Sequence, residues 1–97
     1  MLIGEYVDRI YVLDRVEQRH PGVSQEDAAH VREHCIRSLP RLEKEPEEHV
    51  GIGYDSSGRL LEVVAIRNEN GDWLIKHAQT PPQERVKREL GFGRRGK

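Results

Sequence analysis

Residues 49–78 decide the fold, and they read HVGIGYDSSGRLLEVVAIRNENGDWLIKHA. Apolar and small or polar residues alternate over 49–54, which is the period of a half-buried strand. Residues 60–66 form a nearly continuous apolar run, which is typical of a central strand covered on both faces. A third strand is expected over 72–78. The segments between these strands are as short as hairpin loops and contain glycine, so the pattern predicts a three-stranded antiparallel meander.

Residues 5–20 precede this sheet and place apolar side chains at helical spacing. The segment 20–22, His-Pro-Gly, ends the element. The pattern predicts a first helix over 5–20. β-Branched and aromatic residues are dense over 6–12, however, and they leave a short strand at 5–9 followed by a helix over 10–20 as an alternative.

A second helix is predicted to begin after Ser24. Asp27 follows three residues later, so the two residues form a capping box in its acidic version. Apolar residues then recur at helical spacing as far as Leu39, and Pro40 closes the helix because proline disfavours helical backbone in the residue before it. Residues 41–48 are polar and are expected to be a linker.

The third helix is predicted after the meander. Thr80 is the expected cap, Pro81 takes the first helical position and Gln83 completes a capping box. Gly91 ends the helix. The expected fold class is therefore α+β, with two N-terminal helices, a three-stranded antiparallel meander and a C-terminal helix.

The 97 residues allow one domain, expected over residues 1–92, followed by a disordered basic tail over 93–97. A chain of this length has a thin core, so a protein partner or a homodimer would stabilise it. The one cysteine, Cys35, cannot form an internal disulfide and suits a reducing compartment. No secretion signal or membrane-spanning stretch is visible, which predicts a cytoplasmic protein with no membrane partner.

Charge is unevenly distributed although the net charge is only -1. A chain with so little net charge has no global field that would draw it to nucleic acid. Residues 85–97 nevertheless hold six cations against the single carboxylate of Glu89. This basic end either binds phosphate locally or is a solvated tail.

The chemistry-bearing residues lie near the end of the third strand. Lys76 and His77 come just before the predicted helix start, and Arg59 and Arg85 could add positive charge nearby. Cleavage of a phosphodiester needs cations around the phosphorus and a proton carrier that works near neutral pH. Histidine is the natural proton carrier. The alternative is that His77 packs locally and the arginines are solvated.

A metal site is a weaker hypothesis. His30 and His34 are four residues apart on the second predicted helix, a spacing at which two imidazoles can share a metal ion. Cys35 lies on the packing face of that helix, about 100° from His34. The sequence offers no third ligand, so an ordinary solvated helix surface is favoured.

Two segments resemble a known family. Residues 51–55, a turn and residues 58–64 are similar to the central hairpin of BrnT-type toxins, which belong to the RelE-like ribonuclease toxin superfamily. Residues 73–78, followed by a helix that starts at proline and carries basic residues, resemble the last strand and helix of the same group. The likeness extends over about residues 10–90.

This resemblance implies a compact sheet packed by helices and a type II toxin that cleaves RNA. The 2′-hydroxyl would attack the adjacent phosphate without a metal or another cofactor, and a cognate antitoxin would bind and neutralise the protein. The implied catalytic residues are Arg59, Lys76, His77 and Arg85, and the implied RNA-binding residues are Arg67, Lys87 and Arg88. Members often carry a basic residue where this chain has Gln79. That departure keeps open a non-catalytic protein- or RNA-binding module on the same scaffold.

Overall fold

A computed structural model describes residues 9–92. The elements in chain order are β1 (Ile10–Val12), α1 (Asp14–Arg19), α2 (Gln25–Glu33), β2 (Arg37–Arg41), β3 (Glu48–Tyr54), β4 (Leu60–Arg67), β5 (Trp73–Gln79) and α3 (Glu84–Glu89). The strands form one sheet in the order β1-β5-β4-β3-β2. β1 runs parallel to β5, and the other neighbouring strands are antiparallel. No helix within the described range is long and apolar enough to cross a membrane.

The expected fold class is wrong in its sheet. β3, β4 and β5 do form an antiparallel meander, but β1 and β2 extend it at its two edges to a five-stranded mixed sheet. β1 lies within the first predicted helix, and β2 overlaps the end of the second predicted helix and the first residue of the expected linker. The expectation of two helices followed by a three-stranded sheet is therefore corrected.

The first predicted helix is replaced by a strand and a shorter helix. Ile10–Val12 consists of β-branched and aromatic residues, which favour extended backbone. The strand is held at both ends, because Trp73 N donates to Arg9 O at 2.8 Å and Leu13 N donates to Ile75 O at 3.1 Å. The alternative strand at 5–9 and the predicted disordered tail at 93–97 lie almost entirely outside the described residues.

The second predicted helix ends earlier than expected. Ser24 and Asp27 do form the capping box, with bonds of 3.0 and 3.1 Å between each side chain and the other residue's backbone N–H. The helix stops at Glu33, and Arg37–Arg41 pairs with β3 instead of continuing as helix. Pro40 is compatible with this because β2 is an edge strand, where a missing backbone N–H is tolerated.

The third helix begins later than predicted. Thr80 is not the cap, since its hydroxyl donates to Leu60 O at 2.6 Å. Gln83 holds the N-cap position and the helix starts at Glu84. Gly91 ends the helix as predicted, with a φ of +86°.

The sheet has a core on each face. α1 and α2 cover one face, where the fully buried side chains include Val16, Val31, Leu61, Val63 and Ile75. α3 covers the other face through Val50, Ile52, Val64, Val86 and Leu90. The alternate residues of β4 enter the two cores, which confirms that β4 is a central strand buried on both sides.

Gly51 on β3 packs directly against Cys35, in the segment that follows α2. A Cβ atom at Gly51 would overlap the sulfur of Cys35. We expect Gly51→Ala to lower the free energy of unfolding by about 1–3 kcal/mol, because overpacking a filled site forces atoms apart. Urea denaturation measures this cost.

Cys35→Ala supplies the matched background, since it removes the overlapping sulfur. Gly51→Ala should cost clearly less in that background, which is the behaviour of two residues in contact. An equal cost in both backgrounds would show that the contact does not limit residue size at position 51.

Candidate active site

A β-bulge in β5 brings Lys76 and His77 to the same face of the sheet. His77 is opposite Val64 on β4, but the next pair is Ile75 with Ala65, so Lys76 has no partner in the ladder. Regular alternation would place adjacent side chains on opposite faces. The extra residue of a bulge cancels one alternation, and both side chains enter one cleft.

This cleft lies between α3 and the meander and has a volume of about 290 Å³. It is lined by Arg41, Lys44, Glu48, Glu62, Val64, Lys76, His77, Gln83, Arg85 and Val86. Four of these residues are cations and two are carboxylates. The lining is therefore suited to an anion, with a histidine beside it.

Glu62 and His77 form a close pair within the cleft. The Glu62 side chain is fully buried, and its Oε2 lies 2.6 Å from His77 Nε2. Gln83 donates to both carboxylate oxygens, from its backbone N to Oε1 at 2.7 Å and from Nε2 to Oε2 at 2.8 Å. A buried carboxylate is tolerated only when it is hydrogen-bonded. Glu62 accepts three hydrogen bonds, one from His77 and two from Gln83.

The protonation of this pair follows from its hydrogen bonds. Burial by itself raises the pKa of Glu62, but the bonds from His77 and Gln83 outweigh it and hold that pKa below its ordinary value. The ionised carboxylate can only accept, so Nε2 of His77 carries the proton. In the neutral ring Nδ1 then has the lone pair, and no residue among 9–92 donates to it.

His77 is therefore placed to exchange a proton with a ligand through Nδ1. Its side chain is 26% exposed, so the ring is reachable from solvent. The ring of His20, at the end of α1, contacts it edge-on at 5.7 Å between centroids. Glu62 fixes the tautomer and balances the charge of the imidazolium when His77 takes a second proton.

Lys76 belongs to a network of ion pairs along one wall of the cleft. Its Nζ lies 2.7 Å from Glu48 Oε2, and Arg41 Nη1 lies 3.2 Å from Glu48 Oε1. Arg41 also binds Glu89 on α3 through two bonds of 2.8 Å. Burial raises the pKa of Glu48, but Lys76 and Arg41 together hold it below its ordinary value. The network fixes the position of the Lys76 ammonium group and partly neutralises its charge.

Arg85 is the third predicted catalytic residue that lines the cleft. It is exposed on α3, and its Nε donates to Gln83 Oε1 at 3.2 Å. The structure therefore brings together three of the four predicted catalytic residues, Lys76, His77 and Arg85, in one cleft.

Arg59 lies elsewhere. Its Nε binds Asp55 Oδ2 at 2.8 Å, one terminal nitrogen binds Asp27 Oδ2 at 3.1 Å and the other donates to Gly22 O at 2.8 Å. These bonds tie the β3–β4 turn to the start of α2. The geometry gives Arg59 a structural role and places it outside the cleft.

The predicted RNA-binding residues do not line the cleft either. The guanidinium carbon of Arg67 lies 4.7 Å from the centroid of the Trp73 ring, at the far end of β4. Lys87 pairs with Glu84 one turn away on α3 at 2.9 Å. Arg88 is exposed on the same helix. These residues could contact only a ligand that extends beyond the cleft.

Sequence reasoning missed five charged or polar residues of the cleft. They are Glu62 and Gln83, which hold His77, and Arg41, Lys44 and Glu48, which lie on or next to β2 and β3. Glu62 did carry a signal, because it is the one charged residue within the apolar run 60–66. A carboxylate in a strand buried on both faces requires a partner, and that partner is a histidine on the neighbouring strand.

The histidines of α2 do not build a metal centre with their neighbours. The His30 and His34 rings lie 4.5 Å apart, and His34 Nδ1 is 3.1 Å from the carbonyl oxygen of His30. Burial raises the pKa of the Cys35 thiol, which makes it a weaker ligand. Over residues 9–92, no three His, Cys, Asp or Glu side chains are grouped so that they could hold a metal ion.

The cleft thus supplies a proton carrier with a fixed tautomer, an ionised carboxylate behind it and several cations around it. This combination can bind an oxyanion and move a proton at its edge. No known protein-family model, no curated protein and no solved structure matches this chain.

Proposed function

We propose that the protein is a metal-independent ribonuclease that acts at the cleft between α3 and the meander. The observation that carries this proposal is the 2.6 Å contact between His77 Nε2 and the buried Glu62. It leaves Nδ1 as a base beside an anion-binding surface. Histidine with an orienting carboxylate is a general base suited to neutral pH.

In the proposed reaction His77 Nδ1 removes the proton of a ribose 2′-hydroxyl. The 2′-oxygen forms a bond to the adjacent phosphorus, and the bond from phosphorus to the 5′-oxygen breaks. The departing 5′-oxygen takes a proton from the Lys76 ammonium or from water. The products are a 2′,3′-cyclic phosphate and a 5′-hydroxyl, so atoms and charge balance without a metal.

The cations of the cleft would stabilise the charge that develops on the phosphate oxygens. Arg85 and Lys76 face the same space as His77, and Lys44 adds charge at its rim. Such preorganised charges contribute most where water is partly excluded. Glu62 would stabilise the imidazolium that forms when His77 has taken the proton.

We propose further that this ribonuclease is the toxin of a type II toxin–antitoxin pair and acts in the cytoplasm. The support is the resemblance of residues 51–64 and 73–78 to BrnT-type toxins. A cognate antitoxin would then be its protein partner and RNA its substrate.

A non-catalytic binding module is the second candidate, and one observation favours it. Lys76 and Arg41 are already paired with Glu48, and Arg41 also with Glu89. A phosphate must compete with these carboxylates for the same cations. A cleft whose cations are partly neutralised in this way stabilises a developing phosphate charge less, which favours reversible binding over turnover.

Induced expression in a bacterial host tests the toxin proposal. We expect growth arrest with the wild-type protein and normal growth with His77→Gln, because glutamine cannot take up a proton. His34→Gln, which changes the exposed histidine directly after α2, is the matched control and should arrest growth. Normal growth in all three cultures, at equal protein levels, would contradict a toxin and favour the binding module.

A further inference from the structure

We propose that Gln83 is a positioning residue that couples the binding of an anion at Arg85 to the Glu62–His77 pair. This coupling deepens the ribonuclease proposal. Only the identity of the anion, an RNA phosphodiester, rests on that proposal. The coupling itself is a property of the hydrogen-bond chain and can be measured without RNA.

Gln83 occupies the N-cap of α3 but does not cap that helix with its side chain. Its side chain turns to the sheet instead, where Nε2 donates to Glu62 Oε2 at 2.8 Å. Its backbone N donates to Glu62 Oε1 at 2.7 Å. One residue therefore holds both oxygens of the carboxylate that orients His77.

The other end of the same amide group contacts Arg85. Arg85 Nε donates to Gln83 Oε1 at 3.2 Å. A guanidinium can only donate and an ionised carboxylate can only accept, so the amide has one satisfactory orientation. The Gln83 oxygen faces Arg85 and the Gln83 nitrogen faces Glu62.

The resulting hydrogen bonds converge on Glu62. Arg85 donates to Gln83, Gln83 donates to Glu62, and His77 Nε2 donates to the same carboxylate. The first two bonds run in one sense, so each strengthens the other. Gln83 Nε2 and His77 Nε2, in contrast, donate to the same oxygen, Glu62 Oε2, and compete for its charge. A change at the Arg85 end must therefore alter how strongly Glu62 accepts from His77.

Gln83 also prepares Arg85 to bind the anion. It holds Nε, and the two terminal nitrogens of Arg85 donate to no residue in the described part of the chain. Those nitrogens are the pair that binds two phosphate oxygens at once. Arg85 and His77 line the same cleft, so an oxyanion that Arg85 holds there shares the cleft with His77.

Gln83→Met is the variant that tests the coupling. Methionine has a similar shape, removes both side-chain bonds and keeps the backbone bond to Glu62. Gln79→Met is the matched control, because the Gln79 side chain bonds only to Pro81 O, at 3.3 Å, and does not line the cleft.

NMR titration with inorganic sulfate, whose charge is constant near neutral pH, gives the first readout. In the wild type we expect sulfate to shift the resonances of the His77 ring and of the Gln83 amide together. In Gln83→Met the Kd for sulfate should rise about tenfold, the equivalent of one lost hydrogen bond. Gln79→Met should match the wild type.

The carboxyl resonance of Glu62 gives a second readout that a purely structural role would not move. The Gln83 side chain is one of the donors that keep the pKa of Glu62 low. That pKa should rise in Gln83→Met and stay unchanged in Gln79→Met. If Gln83→Met fails to fold, Arg85→Met replaces it for this readout. It breaks the chain at its exposed end, so the pKa of Glu62 should rise, and an unchanged pKa of Glu62 would overturn the coupling.

The outcomes separate the two proposals. If sulfate binding is coupled as described but RNA stays intact, the ribonuclease proposal fails and the role of Gln83 stands. If Gln83→Met binds sulfate with wild-type affinity and leaves the Glu62 pKa unchanged, the role of Gln83 is overturned, whether or not RNA is cleaved.

Discussion

Glu62→Gln should lower the rate of RNA cleavage by about 10²–10⁴-fold, the range that general acid–base catalysis contributes. The carboxylate accepts from His77 Nε2 at 2.6 Å, which leaves Nδ1 as the base in the proposed reaction. A carboxamide of the same shape can instead donate its N–H to Nε2. The proton of the ring then moves to Nδ1, and the nitrogen that the proposed reaction uses as the base can no longer accept.

Initial rates of cleavage measure this effect, with Glu69→Gln as the control. Glu69 is exposed in the turn between β4 and β5. Its substitution by glutamine is the same chemical change, made outside the cleft. Its rate should equal that of the wild type. A Glu62→Gln protein that is folded and fully active would show that the carboxylate does not set the state of His77.

The stability of Glu62→Gln should also respond differently to pH. The pKa of Glu62 is lower in the folded protein than its ordinary value of about 4.3. The ionised group therefore stabilises the fold above about pH 4.3, and this contribution is lost as the pH falls through the folded pKa. The wild type should lose stability in that acidic range, and the variant should lose less.

Asp55→Ala should lower the free energy of unfolding by about 3 kcal/mol, about 1 kcal/mol for each of three hydrogen bonds. The Asp55 side chain is fully buried and accepts from Ser57 N at 2.9 Å, from Arg59 N at 2.8 Å and from Arg59 Nε at 2.8 Å. Alanine leaves two backbone N–H groups of the β3–β4 turn without this acceptor. Denaturation in urea measures the loss.

Arg59→Ala is the comparison that separates two contributions to stability, because it removes the salt bridge to Asp55 and keeps the backbone hydrogen bonds of the turn. The Arg59 side chain is 39% exposed, so its ion pairs should contribute only about 1 kcal/mol or less. The Arg59→Ala variant should also cleave RNA at the wild-type rate, since Arg59 lies outside the cleft. If Arg59→Ala were folded but inactive, the catalytic role that the family resemblance implies for it would be restored.

The sequence predicted the centre of the sheet because that part of the fold is local. β3, β4 and β5 follow one another through short turns, and their periods of apolar residues are visible in the chain. β1 was missed because it has only three residues and depends on β5, about sixty residues later in the chain. A strand defined by so distant a partner leaves little periodic signal.

β2 was missed for a different reason. The apolar spacing that runs from α2 to Leu39 imitates a continuing helix, yet Leu39 is 43% exposed on an edge strand. The pairing of Arg37–Arg41 with β3 outweighs the helical pattern. Tertiary contacts override local propensity at this point.

The site was predictable where its residues are neighbours in sequence. Lys76, His77 and Arg85 lie within ten residues of one another, and the chain suggested them together. The β-bulge that turns Lys76 and His77 to one face cannot be seen in the sequence. The same is true of Arg41 and Glu48, which reach the cleft only because β2 and β3 fold against α3.

Cleavage of RNA by the purified protein in the presence of a metal chelator tests the central claim most directly. We predict that the wild type and His34→Gln produce fragments that end in a 2′,3′-cyclic phosphate and a 5′-hydroxyl. His77→Gln should be slower by about 10²–10⁴-fold. Intact RNA with the wild type, cleavage that stops when the chelator is added, or equal cleavage by folded His77→Gln would each contradict a metal-independent ribonuclease that uses His77.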